Sequence, residues 1–293
     1  MVERLMNSQK LPYFLILPSI IFLFMLTIYP MLFALYHSFL YWMIGSPVRF
    51  IGLENYINVI SSSLFQNALI VTLKFSGIVV AIELFLGLIT ALIIAGIRRG
   101  QGIISAILVM PISVAPVVAG IIFRNLYMKE TGVVDYLLTV IGLPPPPEGI
   151  LGNSNTAFLG LIVTDVWEWT PFIALIILAS LLSLPSDIIE AAKVDGASDW
   201  QVFRYIKLPL IKPTIFLAAM LRFMQAYNTF DIVYVETRGG PGIATQTLSY
   251  HLFLEGLAYF HLGYASALTV VVSLIAVVLI NIYLMFTIFK GGS

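Results

Sequence analysis

The sequence predicts an all-α polytopic membrane protein, and three observations carry that prediction. Apolar residues make up 60% of the 293-residue chain and charged residues 10%, against about 25% charged in an ordinary soluble domain. Mean hydropathy is +1.00. The apolar residues fall in runs long enough to cross a bilayer, which takes about 20 residues each.

Six transmembrane helices are expected, at 12–37, 68–97, 103–126, 157–183, 214–235 and 263–289. The first ends in Tyr29–Tyr36 without a small-residue cleavage site and is too long for a signal h-region, so it is expected to stay as a membrane helix. Lysine and arginine set the orientation. Arg4, Lys10, Arg98, Arg99, Lys193, Arg204, Lys207, Lys212 and Lys290 fall on one set of ends; Arg49, Lys129 and Arg238 fall on the other. Both termini are therefore expected in the cytoplasm. The chain reads as a single transmembrane domain, 1–293, without a convincing internal repeat.

Outside the membrane three loops are expected. The first, 38–67, holds Pro47 and Arg49, with Ser61–Ser63 as a turn before the second span. The second, 127–156, contains Pro144–Pro147, a stiff polyproline spacer. The third, 236–262, carries the glycine-rich turn Arg238–Gly242. On the cytoplasmic side, residues 185–212 form a polar island between two apolar runs. It reads as two short helices: Asp187 and Glu190 give a start signal, Gly196 a C-terminal cap, and Ser198 with Gln201 a capping box. Pro209 and Pro213 mark the end of the second helix and the entry to the next span. Ala191, Ala192 and Ala197 are small enough to let another protein approach closely.

With no cysteine, the chain has no disulfide or thiolate metal site. Fifteen basic against fifteen acidic residues suggest no nucleic-acid partner. There is no G-x-x-x-x-G-K-[ST], H-E-x-x-H or G-x-S-x-G, so the chain cannot hydrolyse ATP by itself and no enzyme is indicated. His37, His251 and His261 lie outside helical metal-ligand spacing and read as interfacial.

Polar groups inside a membrane usually face a bundle interior or a water-filled path. In the fifth span Arg222, Gln225 and Thr229 follow i, i+3, i+7 spacing, with Asn228 and Asp231 on the same broad face. They read either as a lining for a hydroxyl-rich solute or as interhelical glue. Arg222 and Asp231 stand about 13 Å apart along a helix and cannot pair; each needs a partner elsewhere. In the fourth span, Pro171 is expected to kink the helix. Trp167 and Trp169 offer faces for a sugar ring, and Asp165 or Glu168 acceptors for its hydroxyls; an aromatic belt is the other reading of the tryptophans. Lys74, Glu83 and Arg124 are further intramembrane charges, the lysine and arginine near outer ends.

The island resembles a known motif. Glu190–Ser198, EAAKVDGAS, before the I-x-L-P that ends at Pro209, is similar to the EAA motif of permease subunits of binding-protein-dependent ABC importers. Phe50–Tyr56 (FIGLENY), Trp167–Phe172 (WEWTPF), Gly239–Pro241 (GGP) and Leu262–Ala267 (LGYASA) resemble further blocks of that family's carbohydrate-uptake branch, in particular its maltose-type first permease subunit. The resemblance implies a sugar, oligosaccharide or glycerol phosphate as solute, with Glu168, Trp169 and Phe172 facing it. It implies that Glu190, Ala191, Ala192, Asp195 and Gly196 form a coupling hairpin seated on an ATPase. It also implies a heterodimer with a second, related permease in the cell's inner membrane, two ATPase copies carrying the ATP and Mg, and an extracellular solute-binding protein. No cofactor is expected on this chain, and its spans meet membrane lipid. An ion-gradient-driven secondary transporter is the alternative; it would use Glu83 and Asp231 as coupling carboxylates, but no inverted repeat accompanies them.

Overall fold

A computed structural model describes residues 11–97 and 99–290. Both extreme ends, with Arg4 and Lys10, and separately Arg98, lie outside the described residues. The described chain is helical almost throughout. Helices α1 (Leu11–Leu23) and α2 (Tyr29–His37) are joined by the π turn Phe24–Ile28 into one rod. Strands β1 (Leu40–Tyr41) and β2 (Arg49–Phe50) pair antiparallel, and α3 (Glu54–Ser61) follows. Next come α4 (Ser63–Ala95), α5 (Gln101–Leu108), α6 (Pro116–Leu126) and α7 (Val133–Val140). The chain continues with α8 (Ser154–Leu182), α9 (Ser186–Val194), α10 (Asp199–Val202), α11 (Leu208–Tyr227), α12 (Leu248–Phe253) and α13 (Leu262–Lys290).

Among the described residues four helical segments are long and apolar enough to cross a membrane: Leu15–His37, Ser63–Ala95, Ser154–Leu182 and Leu262–Met285. The expected span 103–126 is instead a pair of helices, Gln101–Ser113 and Pro116–Leu126, bent by 86°. The cause lies in the sequence. Pro116 disfavours the helical region for the residue before it, and Ala115 takes extended backbone with ψ of 138°; Val114 beside it is extended too, with ψ of 131°, whereas Met110 before Pro111 stays helical. The expected span 214–235 also differs. Its helix starts earlier, at Leu208, and stops at Tyr227, where the Asn228 and Thr229 N–H groups bond only three residues back. A second helical stretch resumes from Asp231.

Pro171 does not break α8, which runs unbroken for 29 residues. The expected loops are not bare: α7 lies within 127–156 and α12 within 236–262. Ser62, at φ −70° and ψ 123°, is the single non-helical residue between α3 and α4.

The chain divides into two compact units: residues up to Ser62 with Leu252–Ile275, and Ser63–His251 with Ala276 onward. In the first, the FIGLENY block is structural. The Asn55 amide donates to the Ser38 and Leu40 carbonyls, both at 2.9 Å, and the Tyr56 hydroxyl meets Ser38 Oγ at 2.6 Å. Gly263 of LGYASA donates its N–H to the Trp42 carbonyl at 2.9 Å, where any Cβ would collide with the Leu40 carbonyl. In the second unit α4, α8 and α11 pack together. Ala91, Ile94, Ile173, Ile177, Leu178, Leu181 and Ile211 form an apolar core at one end of that bundle. Gly87 permits a close approach of α4 to α8: a Cβ there would stand 2.7 Å from Ile173 Cγ2.

Candidate functional site: a buried charge cluster and an exposed hairpin

The middle of the α4–α8–α11 bundle is charged. Arg222 from α11 is 1% exposed and turns its guanidinium to Glu83 of α4, with Nε 2.8 Å from Oε2 and Nη2 3.0 Å from Oε1. Its Nη2 also donates to Asp165 Oδ1 of α8. Glu83 and Asp165 are 0% and 2% exposed. A fork-shaped guanidinium is the cation that satisfies two carboxylates at once, and three helices are tied together through it. Arg222 Cζ lies 5.1 Å from the centroid of Trp169, one turn beyond Asp165, and Trp169 meets Phe172 edge-on at 6.0 Å.

Asp165 and Arg222, expected to contact solute, are thus partnered with each other and buried. The partners that Arg222 required are Asp165, 57 residues away in sequence, and Glu83, 139 residues away, which no local spacing reveals. What was readable is the sum: one guanidinium and several carboxylates at membrane depth must find each other, because an unpaired charge there is costly. Glu168 is 1% exposed, and neither carboxylate oxygen has a hydrogen-bond partner. Trp169 and Phe172 are half-buried.

The remaining candidates separate from the cluster. Gln225 and Asn228 are exposed; Asn228 caps α11 and donates to the Met224 carbonyl at 2.9 Å. Thr229 and Asp231 lie beyond the end of α11, so the five polar residues do not share one helical face. The Thr229 carbonyl accepts from Thr247 at 3.1 Å. Arg124 donates to the Val235 carbonyl at 3.1 Å, and Lys74 is exposed. His251, expected at an interface, is buried beside Gln246 at 3.0 Å.

The polar island folds into the hairpin α9–α10. Helix α9 starts at Ser186 after Pro185, so Asp187 sits in the first turn, where it complements the helix dipole, and does not cap. Its C-terminus closes with two bonds, Gly196 N–H to the Lys193 carbonyl at 3.1 Å and Ala197 N–H to the Ala192 carbonyl at 2.9 Å. That is a Schellman motif, and Gly196 takes the left-handed φ of +85° it requires. Ser198 and Gln201 make the reciprocal capping box at 3.3 and 2.8 Å. Lys193 reaches Asp199 across the turn at 3.1 Å, an exposed pair worth little by itself. Glu190, Ala191, Asp195 and Gly196 are exposed and Ala192 half-exposed. Beside them stand bare apolar side chains that sequence reading passed over: Val194, 87% exposed, Trp200, 68%, and Tyr205, 74%.

Pro209 and Pro213 do not end the second hairpin helix. The π turn Phe203–Lys207 passes the chain into α11, with Leu208 N–H bonded to the Phe203 carbonyl five residues back. The same device, a π turn directly before an X-Pro pair, carries the first span past Pro30. Widening the turn realigns the carbonyls around a residue that cannot donate.

An α-helical membrane bundle with a charged interior and a rigidly capped hairpin at one end has the form of a transport subunit. Residues 4–288 match the family described as the binding-protein-dependent transport system inner membrane component, and the chain belongs to that family. It is 36% identical over 258 residues to a trehalose/maltose transport system permease protein, MalF, of Thermococcus litoralis, covering 88% of this chain and 85% of that one. It is 35% identical to the sulfoquinovosyl glycerol transport system permease protein SmoG of Agrobacterium fabrum, covering 95% and 91%. The sn-glycerol-3-phosphate permease UgpA of the same organism is 31% identical, with 93% and 92% covered. A bacterial alginate ABC transporter, solved with an alginate pentasaccharide-bound periplasmic protein, superposes with a TM-score of 0.85 at 22% identity, over 97% of this chain and 96% of that one. The chain is therefore a multi-pass cell-membrane permease of the ABC importer class. The ion-gradient alternative falls with that finding, and Glu83, one of its two candidate coupling carboxylates, is held by Arg222.

Proposed function

We propose that this chain forms one half of the translocation path of an ATP-driven importer for a neutral sugar or oligosaccharide. One observation carries the reading: residues from Asp199 through the π turn to Tyr227 form one unbroken helical rod joining the exposed hairpin to Arg222. From Asp199 to Arg222 the rod spans about 35 Å, so a displacement at the hairpin reaches the charge cluster along a stiff element.

In this reading the chain crosses the membrane six times as a single domain, with α5–α6 and α11 supplying the crossings that are bent or less apolar. Both termini and residues 185–212 face the cytoplasm, while 127–156 and 236–262 lie outside. Glu190, Asp195, Gly196 and the small Ala191 and Ala192 seat the hairpin in an ATPase subunit, and Val194, Trp200 and Tyr205 supply its apolar contact. The complex pairs the chain with a second, related permease, two ATPase copies that hold the ATP and Mg, and an extracellular solute-binding protein; this chain holds no nucleotide.

Trp169 and Phe172 offer the solute an aromatic wall, with Glu168, Gln225, Asn228, Thr229 and Asp231 as polar partners. The relatives above are named for trehalose/maltose, sulfoquinovosyl glycerol and sn-glycerol-3-phosphate, and the structural neighbour for alginate. Arg222, engaged by two carboxylates, has little to offer a solute anion, which favours the neutral sugar.

Solute-stimulated ATP hydrolysis in liposomes tests the reading, using this chain with its permease, ATPase and binding-protein partners against a panel of sugars. One sugar is expected to stimulate hydrolysis, independent of protonophore at constant ATP, and Glu190→Lys to abolish the stimulation. Unchanged stimulation in Glu190→Lys would count against the coupling role.

A further inference from the structure

Helices α4, α11 and α13 enclose a groove of about 690 Å³ that the transport reading does not use. Gly77 and Ala81 of α4 and Ala219 of α11 hollow it out, and Phe216 and Tyr283 wall it. Its surface is almost entirely carbon, and Lys212 is the one charged residue lining it. Lys212 stands at one end: Phe223, also in the lining, lies eleven residues further along α11, about 16 Å. The Lys212 side chain is exposed, with Nζ 5.7 Å from the Phe216 ring centroid. Arg204 and Lys207 precede it within about two turns, and between Trp200 and Leu221 these three cations are the only charged residues.

A groove with a cation at its mouth and almost entirely carbon beyond it, the Tyr283 hydroxyl being engaged by the Phe216 carbonyl, does not fit a sugar, which needs polar partners along its length. It fits an amphiphile with an anionic head and an apolar tail. We propose that this groove holds an acyl chain of an anionic phospholipid whose phosphate is bound by Lys212. The proposal rests on the orientation given above, which sets Lys212 at the cytoplasmic leaflet; that leaflet carries the anionic lipids, and basic pockets between spans bind their headgroups there. The lysine stem lies along the groove while its ammonium stays at the interface.

The test uses the assembled transporter, purified into nanodiscs of phosphatidylcholine with or without phosphatidylglycerol, with retained lipid measured by mass spectrometry after detergent washing. Wild type is expected to retain phosphatidylglycerol in preference to phosphatidylcholine. Lys212→Gln should lower that retention roughly fivefold, the effect of one lysine near a membrane surface, while sparing phosphatidylcholine. Gly77→Phe should lower retention of both lipids, because Gly77 lines the groove and a Cβ there meets nothing within 4 Å, leaving the new side chain room to enter it. Equal retention of phosphatidylglycerol by wild type and both variants would overturn the proposal. So would efficient cross-linking from Gly77→Cys, unique in a cysteine-free chain, to a helix of the partner permease. Labelling of Lys212→Cys by an impermeant thiol reagent added outside would refute the orientation, and with it the cytoplasmic-leaflet lipid.

Discussion

Replacing Arg222 by methionine removes the one cation that Glu83 and Asp165 share. Both carboxylates are at most 2% exposed, so neither regains water when the guanidinium goes. Removing one partner of a buried pair costs about 3–5 kcal/mol, because the remaining charge is left uncompensated. Converted at about 2–4 °C per kcal/mol for a domain of about 150–250 residues, the expected fall in thermal midpoint is roughly 6–20 °C. The companion variant decides the cause. Arg222→Met with Glu83→Met and Asp165→Leu replaces the whole cluster by apolar groups of similar size, a change that is often neutral or stabilising. The triple variant should therefore recover most of the lost midpoint yet still fail in solute-stimulated ATP hydrolysis, because Trp169 has lost the guanidinium 5.1 Å from its ring centre. Fluorescence-detected unfolding in detergent and ATPase assays in liposomes read the two properties separately. A single variant as stable as wild type, or a triple variant no more stable than the single, would refute the view that the ion pairs brace the bundle.

Two further substitutions probe the ends of the same apparatus. Gly196→Val puts a β-branched side chain at φ +85°, a strain of about 1–3 kcal/mol; it should abolish uptake with the protein still in the membrane, whereas Gly196→Asn, which tolerates that conformation, keeps most of it. Equal uptake by both variants would show that the Schellman turn does not set the hairpin's geometry. Trp169→Ala should raise the half-saturating solute concentration roughly tenfold, from a lost ring contact of about 1.5 kcal/mol. A fall in maximal rate alone would place Trp169 outside the solute wall.

Local chemistry was legible in the sequence, and long-range pairing was not. The capping box at Ser198 and the left-handed turn at Gly196 follow from neighbours within four residues, and both stand as expected. The apolar runs located four of the six expected spans for the same reason. The 86° bend was signalled by Pro111 and Pro116, five residues apart, but an unbroken run of apolar residues on either side masked it. At Pro209 and Pro213 the error ran the other way: proline was read as a stop, although a π turn supplies the room to continue. The Glu83–Arg222–Asp165 pairing lies beyond any periodicity, because it depends on which faces α4, α8 and α11 turn to one another. Gly87 and its contact with Ile173 helps to set that choice, and a glycine inside an apolar run carries no sign of its partner.

The rod from Asp199 to Tyr227 gives the two halves of the site a common mechanics. Had the chain broken at Pro209, the hairpin would hang on a flexible joint, and motion of a docked ATPase would be absorbed there. The widened turn at Phe203–Lys207 keeps the backbone helical, so the rod is continuous between the exposed hairpin and Arg222. Its far end stops at Tyr227, two residues beyond Gln225, where Asn228 caps it. Displacement along the rod must then act on the fork of ion pairs that joins α11 to α4 and α8. Two carboxylates on different helices sharing one guanidinium can exchange their shares of it as the helices shift, and a rearrangement of that kind has discrete end points. In the proposed function, Arg222 would thereby pass rod movement on to Trp169, whose ring lies over its guanidinium and meets Phe172 edge-on.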